Sequence, residues 1–519
     1  MMHSAALHRL SEGLPHMAKT VARPGLIIAA LASAGISSAF TQTMVTPLVA
    51  LLPGIFKTTS DNTTWIFTAT LLAAAVAVPI SGRLGDLFGK RRMILLLALP
   101  LALGAIVCAI APNVQIMILG RALQGLGSGM VPLGIALLRD VVPKERLSSA
   151  IATVSATLGA GAAIGLPISA AVIEFSSWRI LFWAAAIVSG LIALTIWKIV
   201  PAVPAGASGQ RFDGVGAAGL ALGLVALILG ISKGSAWGWS SPLTITMLAA
   251  AVVVFGLWGW WELRTTDPLI DLRTTARPRV LLTNIASIFV GFGMYASSLV
   301  FPQVLQLSSA TGYGLGQSIL AAGLWMAPAG LMMLVLSPVG GRMSDKRGPK
   351  FTFLLGVVIL AAGYGVALLA MSHAWGILLA GLVVNSGVAF AYGAMPAIIM
   401  SAVPRSETAS ANGFNTLMRS LGTTTGSAIV GIVLAQMTIQ LGGVAVPSEA
   451  GFHTVLTIGA GVAVVAAVIV AFIPALKTEP APATSARDDA VATTADLEHA
   501  ASADDAPGGH ELVGAGERD

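Results

Sequence analysis

The residues best placed to do chemistry in this sequence form a cassette that occurs twice. Gly82-Arg83-Leu84-Gly85-Asp86-Leu87-Phe88-Gly89-Lys90-Arg91-Arg92 returns as Gly341-Arg342-Met343-Ser344-Asp345-Lys346-Arg347-Gly348-Pro349-Lys350, with Asp345 standing 259 residues after Asp86. An aspartate at a helix end can accept hydrogen bonds from the N-terminus of a neighbouring helix and pair with arginine. Read this way, Arg83, Asp86, Gly89 and Arg91, and again Arg342, Asp345, Gly348 and Lys350, form a charged closure built twice. One copy alone could equally turn a loop and fix orientation; two copies in register favour the closure.

Other ionisable groups are sparse. Arg121 lies inside an apolar stretch, where a cation costs about 2.5 to 3.5 kcal/mol on insertion scales. It can handle a proton or an anion there, or donate to neighbouring helix carbonyls. Arg419 lies in a stretch that begins polar, and the same two readings apply to it. Glu174 stands beside Trp178 and Arg179, where a salt bridge or helix-end solvation competes with a proton site. His453 is at a span end. Every acid falls in a tail, a loop or a helix end, so no carboxylate is expected at mid-membrane depth. There is no phosphate-binding Gly-x-x-x-x-Gly-Lys loop, no metal-ligand cluster and no catalytic domain, so no enzyme activity, cofactor or metal is expected.

The elements that must position these residues are membrane spans. With 519 residues, 56% hydrophobic and 10% charged, the chain has too little polar surface for a soluble globule of its size. Apolar segments of roughly 20 residues occur at about 25–55, 64–82, 93–111, 115–138, 147–174, 178–200, 214–231, 242–262, 280–306, 317–339, 351–371, 376–400, 410–440 and 452–475. Alternate connections carry nearly all Lys and Arg, while the opposite loops hold only Lys57, Arg179 and Lys233. That asymmetry predicts both termini in the cytoplasm. The basic residues are scattered, which argues against nucleic-acid binding, and the lone Cys108 excludes a disulfide framework. Beyond Lys477 the chain turns acidic and poor in large apolar residues, as a disordered tail would.

Three Gly-x-x-x-Gly motifs, Gly125 to Gly129, Gly161 to Gly165 and Gly422 to Gly426, permit close helix contact, either as generic packing or at moving interfaces.

On its cassettes the chain resembles the major facilitator superfamily. Trp65, Arg121-Ala122-Leu123-Gln124-Gly125-Leu126-Gly127 and Pro268-Leu269-Ile270-Asp271-Leu272-Arg273 are similar to motifs of that superfamily's fourteen-helix drug:proton antiporter branch. The resemblance covers residues 20 to 476. It implies an all-α integral membrane fold with two pseudo-symmetric six-helix bundles, 25–200 and 280–476, around a linker, 201–279, holding two additional transmembrane helices. Tails at 1–24 and 477–519 complete the organisation.

The implied activity is secondary active efflux of lipophilic drugs or metabolites by proton antiport and alternating access, in the cell membrane, by a monomer. The alternatives are a dedicated exporter of one neutral or anionic metabolite, or a membrane sensor or scaffold. Superfamily geometry implies a central cavity lined by Gln42, Met44, Gln124, Tyr295, Gln303, Trp325, Met326, Asn385, Tyr392 and Asn415. Gly161, Gly165 and Pro167 resemble the antiporter glycine-proline motif, with Leu166 intervening. The first span, Phe40-Thr41-Gln42-Thr43-Met44-Val45-Thr46-Pro47, lacks the aspartate many relatives carry.

Overall fold

The computed structural model describes residues 24–48, 51–207, 209–442 and 444–474; the acidic C-terminal tail and the first 23 residues lie outside them. Fourteen helices among the described residues are long and apolar enough to cross a membrane. They are α1 (Pro24–Thr43), α2 (Ser60–Phe88), α3 (Lys90–Ala109), α4 (Val114–Val141), α5 (Lys144–Phe175), α6 (Arg179–Ile199), α7 (Gly214–Trp237), α8 (Pro242–Glu262), α9 (Pro278–Gln306), α10 (Ile319–Arg347), α11 (Pro349–Ala370), α12 (Ala374–Ala402), α13 (Thr408–Gln436) and α14 (Glu449–Ala471). A 3-10 turn at Gly127–Gly129 interrupts α4. An antiparallel hairpin, Thr438–Leu441 with Val444–Pro447, joins α13 to α14, and its first strand begins inside the apolar segment expected to run to 440.

The cassettes are more helical than their charge implies. The apolar run ending near Ser81 gives way to polar residues, yet α2 continues through Arg83 and Asp86 to Phe88, and α10 continues through Asp345 to Arg347. Only Gly89 (φ 98°) and Gly348 (φ 85°) separate each helix from the next, so each joint is a single residue at a backbone angle that favours glycine.

Most helix starts differ between the two ends of the bundle, with α6 and α12 uncapped at the far end and α7 capped by Asp213 at the cassette end as exceptions. At the end away from the cassettes, α2, α4, α8, α10 and α14 each begin on a local side-chain cap: Thr59, Asn113, Ser241, Ser318 and Ser448. At the cassette end, α3, α5, α9, α11 and α13 begin with no local side-chain cap.

Helices α1 to α6 pack among themselves, as do α9 to α14, and α7 pairs with α8. Contacts between the first and second groups run mainly through α5 with α10 and α12, and through α2 and α4 with α13. Helix α7 touches both α2 and α13, so the inserted pair lies over the seam between the groups.

Candidate functional site

At the cassette end α2 meets α13 closely enough for backbone to touch backbone. A Cβ at Gly82 would lie 2.5 Å from the Ala409 carbonyl oxygen, and one at Gly413 would lie 2.9 Å from that of Val78. This approach brings Asp86 under the start of α13. The Ala409 N–H donates to Asp86 Oδ1 and Oδ2 at 3.0 and 3.1 Å, and the Ser410 N–H donates to Oδ2 at 2.8 Å. Asp86 has no solvent exposure. It therefore supplies, from more than 300 residues away, the cap that α13 lacks locally, and its negative charge sits at the positive end of that helix.

Basic residues complete this contact. Arg139, near the end of α4, donates to the Thr408 hydroxyl at 2.8 Å and to the Val403 carbonyl at 3.2 Å. Lys90 pairs with Asp140 at 2.5 Å, which ties the start of α3 to the end of α4. The Ala207 N–H donates to the Asp86 carbonyl at 3.0 Å, so the connection to α7 passes beneath the same point. Arg83 is buried.

The second cassette stands differently. Gly341 packs on the backbone at Ser149 of α5, as Gly82 packs on Ala409 of α13. Asp345, however, is exposed, as is Arg342. The reason lies in where the partner helix begins. Helix α13 starts at Thr408, one residue before its contact, so the Ala409 and Ser410 N–H groups are free of the helix ladder. Helix α5 starts at Lys144, so Ser149 already lies in its second turn, where the N–H bonds within the helix.

Arg91 was expected to pair with Asp86; it instead donates to the Trp197 carbonyl near the end of α6, at 2.5 Å. Lys350 makes the matching bond to the Ala471 carbonyl that ends α14, at 2.8 Å. Both are cations at helix C-termini, the favourable end for positive charge. This pair preserves the internal repeat where the two aspartates do not.

The glycine motifs face inward within each group. Gly161 and Gly165 pack on Ile36 and Thr43 of α1, Gly125 and Gly129 on Thr70 and Ser81 of α2, and Gly422 and Gly426 on Ile288 and Phe292 of α9. Contacts between groups use other small residues: Gly393 against Ala152, Gly330 against Ala163, and Gly323 against Pro167.

Two guanidinium groups are buried deep inside. Arg121 donates from one nitrogen to the Thr41 carbonyl at 2.8 Å and to Gln124 Oε1 at 2.7 Å, which links α4 to α1. Arg419 lies 4.7 Å over the Tyr392 ring and reaches Asn415 Oδ1 at 3.3 Å and the Thr416 hydroxyl at 3.1 Å. Asn415 donates onward to Asn284 and Ser287 of α9 at 2.9 and 2.8 Å, and Tyr392 donates to the Met294 sulfur at 3.1 Å. Tyr392, Asn415 and Arg419 thus form one polar cluster in the second group, while Gln124 and Arg121 form one in the first.

The remaining residues assigned to the cavity are dispersed. Met44 is packed in an apolar core with Leu48 and Ile66, Gln42 and Gln303 are exposed, and Tyr295 is half-buried. Trp325 and Met326 pack against the core of the second group, and Asn385 donates to the Gly381 carbonyl of its own helix at 3.0 Å. Glu174 is exposed, while Arg179 stacks on Trp178 at 4.4 Å and donates to the Ala111 carbonyl at 3.1 Å.

Sequence reasoning placed Lys233 in a loop. It lies within α7, buried, donating to the Thr64 hydroxyl of α2 at 2.5 Å, with its ammonium 4.8 Å from the Trp65 ring. Its closeness to an apolar segment and to an aromatic-rich span start was the available signal. Asp213 and Glu262, among the acids expected in loops or at helix ends, are both buried.

The sequence profile of the Major Facilitator Superfamily matches residues 31–423 and 283–504. The chain is 31% identical over 315 residues to the Multidrug resistance protein B homolog of Mycobacterium tuberculosis, covering 60% of this chain and 57% of that protein's length. It is 28% identical over 387 residues to Multidrug resistance protein Stp of the same organism, covering 73% and 70%. It is 29% identical over 385 residues to the Tetracenomycin C resistance and export protein of Streptomyces glaucescens, covering 72% and 68%. Among solved structures, the human organic anion transporter MFSD10 superposes with a TM-score of 0.60 at 14% identity, covering 86% of this chain and 99% of that one. The proton:xylose symporter XylE gives the same score and identity, covering 87% and 96%.

Proposed function

The chain belongs to the major facilitator superfamily of transporters, in the fourteen-helix group related to multidrug resistance proteins, and from that premise we propose that it is a secondary active exporter. Its cargo is lipophilic and drug-like, and it moves outward by proton antiport through alternating access in a cell membrane. The rocking bodies are the six-helix bundles 25–200 and 280–476, with 201–279 as linker. Both termini and the cassette end face the cytoplasm, in keeping with the bias of Lys and Arg.

The observation that carries this reading is the Asp86 cap on α13. It is a polar lock between elements of two different bundles, and so a contact that alternating access must break. Two charge-assisted N–H bonds are worth about 1.5 to 3 kcal/mol each. Their sum, about 3 to 6 kcal/mol, reaches at its upper end the roughly 5.5 kcal/mol needed to invert a two-state population from 99:1 to 1:99. A lock of that size holds one end shut yet yields to proton or cargo binding.

Purified full-length protein in liposomes tests this, with ethidium as probe. Concentrative ethidium movement is expected only when a proton gradient is imposed; equal, non-concentrative flux with and without the gradient excludes antiport.

Arg121 and Arg419 favour a second reading, export of one anionic product. Among the described residues neither guanidinium has a carboxylate partner within ion-pair distance. A strain lacking the gene would then accumulate a single anionic metabolite rather than dye.

A further inference from the structure

The inserted pair α7 and α8 holds two buried carboxyl groups that the lock between the bundles does not use. Asp213 caps α7, accepting from the Gly216 N–H at 2.8 Å and from the Trp261 indole N–H at 3.0 and 3.2 Å. Glu262 ends α8 and accepts at Oε2 from the Ile270 N–H at 3.4 Å, while its Oε1 is buried without a hydrogen-bond partner. Glu262 is 2% exposed and Asp213 8%. The position a Cβ would take on Gly216 lies 2.6 Å from Glu262 Oε1 and closer still to Asp213 Oδ2. The two oxygens are therefore at most twice that distance apart, and the missing side chain of Gly216 leaves the space between them open.

The hydrogen-bond inventory is lopsided. Asp213 is satisfied as an acceptor by two N–H donors, whereas Glu262 Oε1 lacks a well-formed hydrogen bond, with the Trp258 indole and the Leu269 N–H as the donors beside its carboxyl. Two carboxylates side by side away from water repel, while a carboxyl and a carboxylate share a hydrogen bond. The charged groups around them are committed elsewhere. Arg264 stacks on Trp260 at 4.3 Å, Arg273 donates to the Leu263 carbonyl at 2.7 Å, and Asp267 accepts from the Arg211 N–H. Helices α2 and α13 face the pair α7 and α8 with apolar side chains, among them Leu72, Ala75, Phe414 and Leu417. Lys233 sits at the opposite end of α7 against Thr64.

We propose that Asp213 and Glu262 form a proton-binding site, with one proton held between Glu262 Oε1 and Asp213 Oδ2, and that its occupancy is transmitted to the lock on α13. The proton comes from and returns to water at the cassette end, and the pair gains one negative charge when it leaves. The connection runs through Ile270, whose N–H Glu262 holds and whose side chain lies in the same buried apolar cluster as Leu417 of α13. The next residue, Asp271, lines a narrow crevice with Thr274, Glu407 and Ser410. The Ser410 N–H is the one that Asp86 holds. Loss of the proton leaves two anions side by side, and their repulsion shifts Glu262 together with Ile270, whose N–H it holds, and so disturbs the seat of α13. The site therefore senses pH on the cassette side and sets the strength of the lock, without itself carrying the antiported proton, and its effect on transport rests on the exporter reading.

Infrared difference spectra of the purified full-length protein between acid and alkaline pH test the site directly. A protonated-carboxyl band is expected, lost in Glu262→Gln and shifted in Asp213→Asn; a band unchanged in both variants overturns the site. In ethidium-loaded liposomes, downhill movement is expected to change about tenfold with pH on the cassette side in the wild type, a coupling in the usual allosteric range, and to lose that dependence in Glu262→Gln. A wild-type pH dependence in that variant overturns the link to the lock and leaves antiport standing. Absence of gradient-driven movement in the wild type overturns antiport itself, and the infrared measurement still decides the site.

Discussion

Asp86, at the end of α2, holds two N–H groups in the first turn of α13, with Ser410 N 2.8 Å from its Oδ2. Asp345, its counterpart in the repeat, is exposed at the end of α10. The two aspartates therefore carry unequal mechanical weight in this state.

Substitution separates them. Asp86→Asn keeps the shape of the side chain but removes its charge and one acceptor, and leaves a backbone N–H of α13 short of a partner. Transport is expected to fall at least about tenfold, the equivalent of about 1.4 kcal/mol or more, consistent with losing one charge-assisted bond. Asp345→Asn is expected to stay within about twofold, since exposed charges contribute little. Efflux assays on both variants at matched membrane levels check this, and equal losses would refute the asymmetry.

Gly82 is a steric test of the same contact. Its Cβ would meet the Ala409 carbonyl oxygen at 2.5 Å, so Gly82→Val forces α2 and α13 apart. The cassette end is then held open. A cysteine placed at Ser410, in a background with Cys108 replaced, should react faster with a membrane-impermeant thiol reagent in Gly82→Val than in Gly82. Unchanged labelling would mean that the approach is not needed for closure.

Arg121 is expected to resist its nearest chemical substitute. One guanidinium nitrogen bridges the Thr41 carbonyl and Gln124 Oε1, joining α4 to α1. Lysine offers a point charge on a different geometry, so Arg121→Lys should lose most transport while inserting normally. Wild-type efflux by Arg121→Lys would show that charge alone suffices at this position.

Arg91 and Lys350 should matter for stability rather than transport. Each donates to a carbonyl near the C-terminus of its partner helix, α6 or α14, in partly exposed surroundings. Alanine at either is expected to cost about 0.3 to 1 kcal/mol, read as a lower melting temperature in detergent with efflux retained. A large transport defect without a melting shift would assign them to the gate instead.

Much of this was legible in the sequence because the signals are local. Fourteen spans follow from uninterrupted apolar length, and the cassettes announce themselves as a repeat. Their extent differs from the expectation: polar residues after Ser81 look like a loop, yet α2 runs to Phe88 because Asp86 finds partners in a buried interface that also encloses Arg83. Lys233 was misplaced for the same reason, since its position within α7 depends on Thr64 and Trp65 of another helix. Gly161 and Gly165 announced close packing but not against what, and α1 is the neighbour they meet.

The sequence by itself determined the number of membrane-crossing helices, the internal repeat and the chemical kinds of residue at each joint. Those properties depend on composition within one or two dozen residues, where apolar length and charge act directly. Only the tertiary structure decided that Asp86 caps a helix while Asp345 does not, and that Asp213 and Glu262 share one buried space. Span helices are apolar on most faces, so their sequences do not mark which side meets which neighbour. The start of α13 at Thr408, against that of α5 at Lys144, fixes whether an N–H is free where the aspartate arrives. That depends on how residues more than 300 positions apart cross in space.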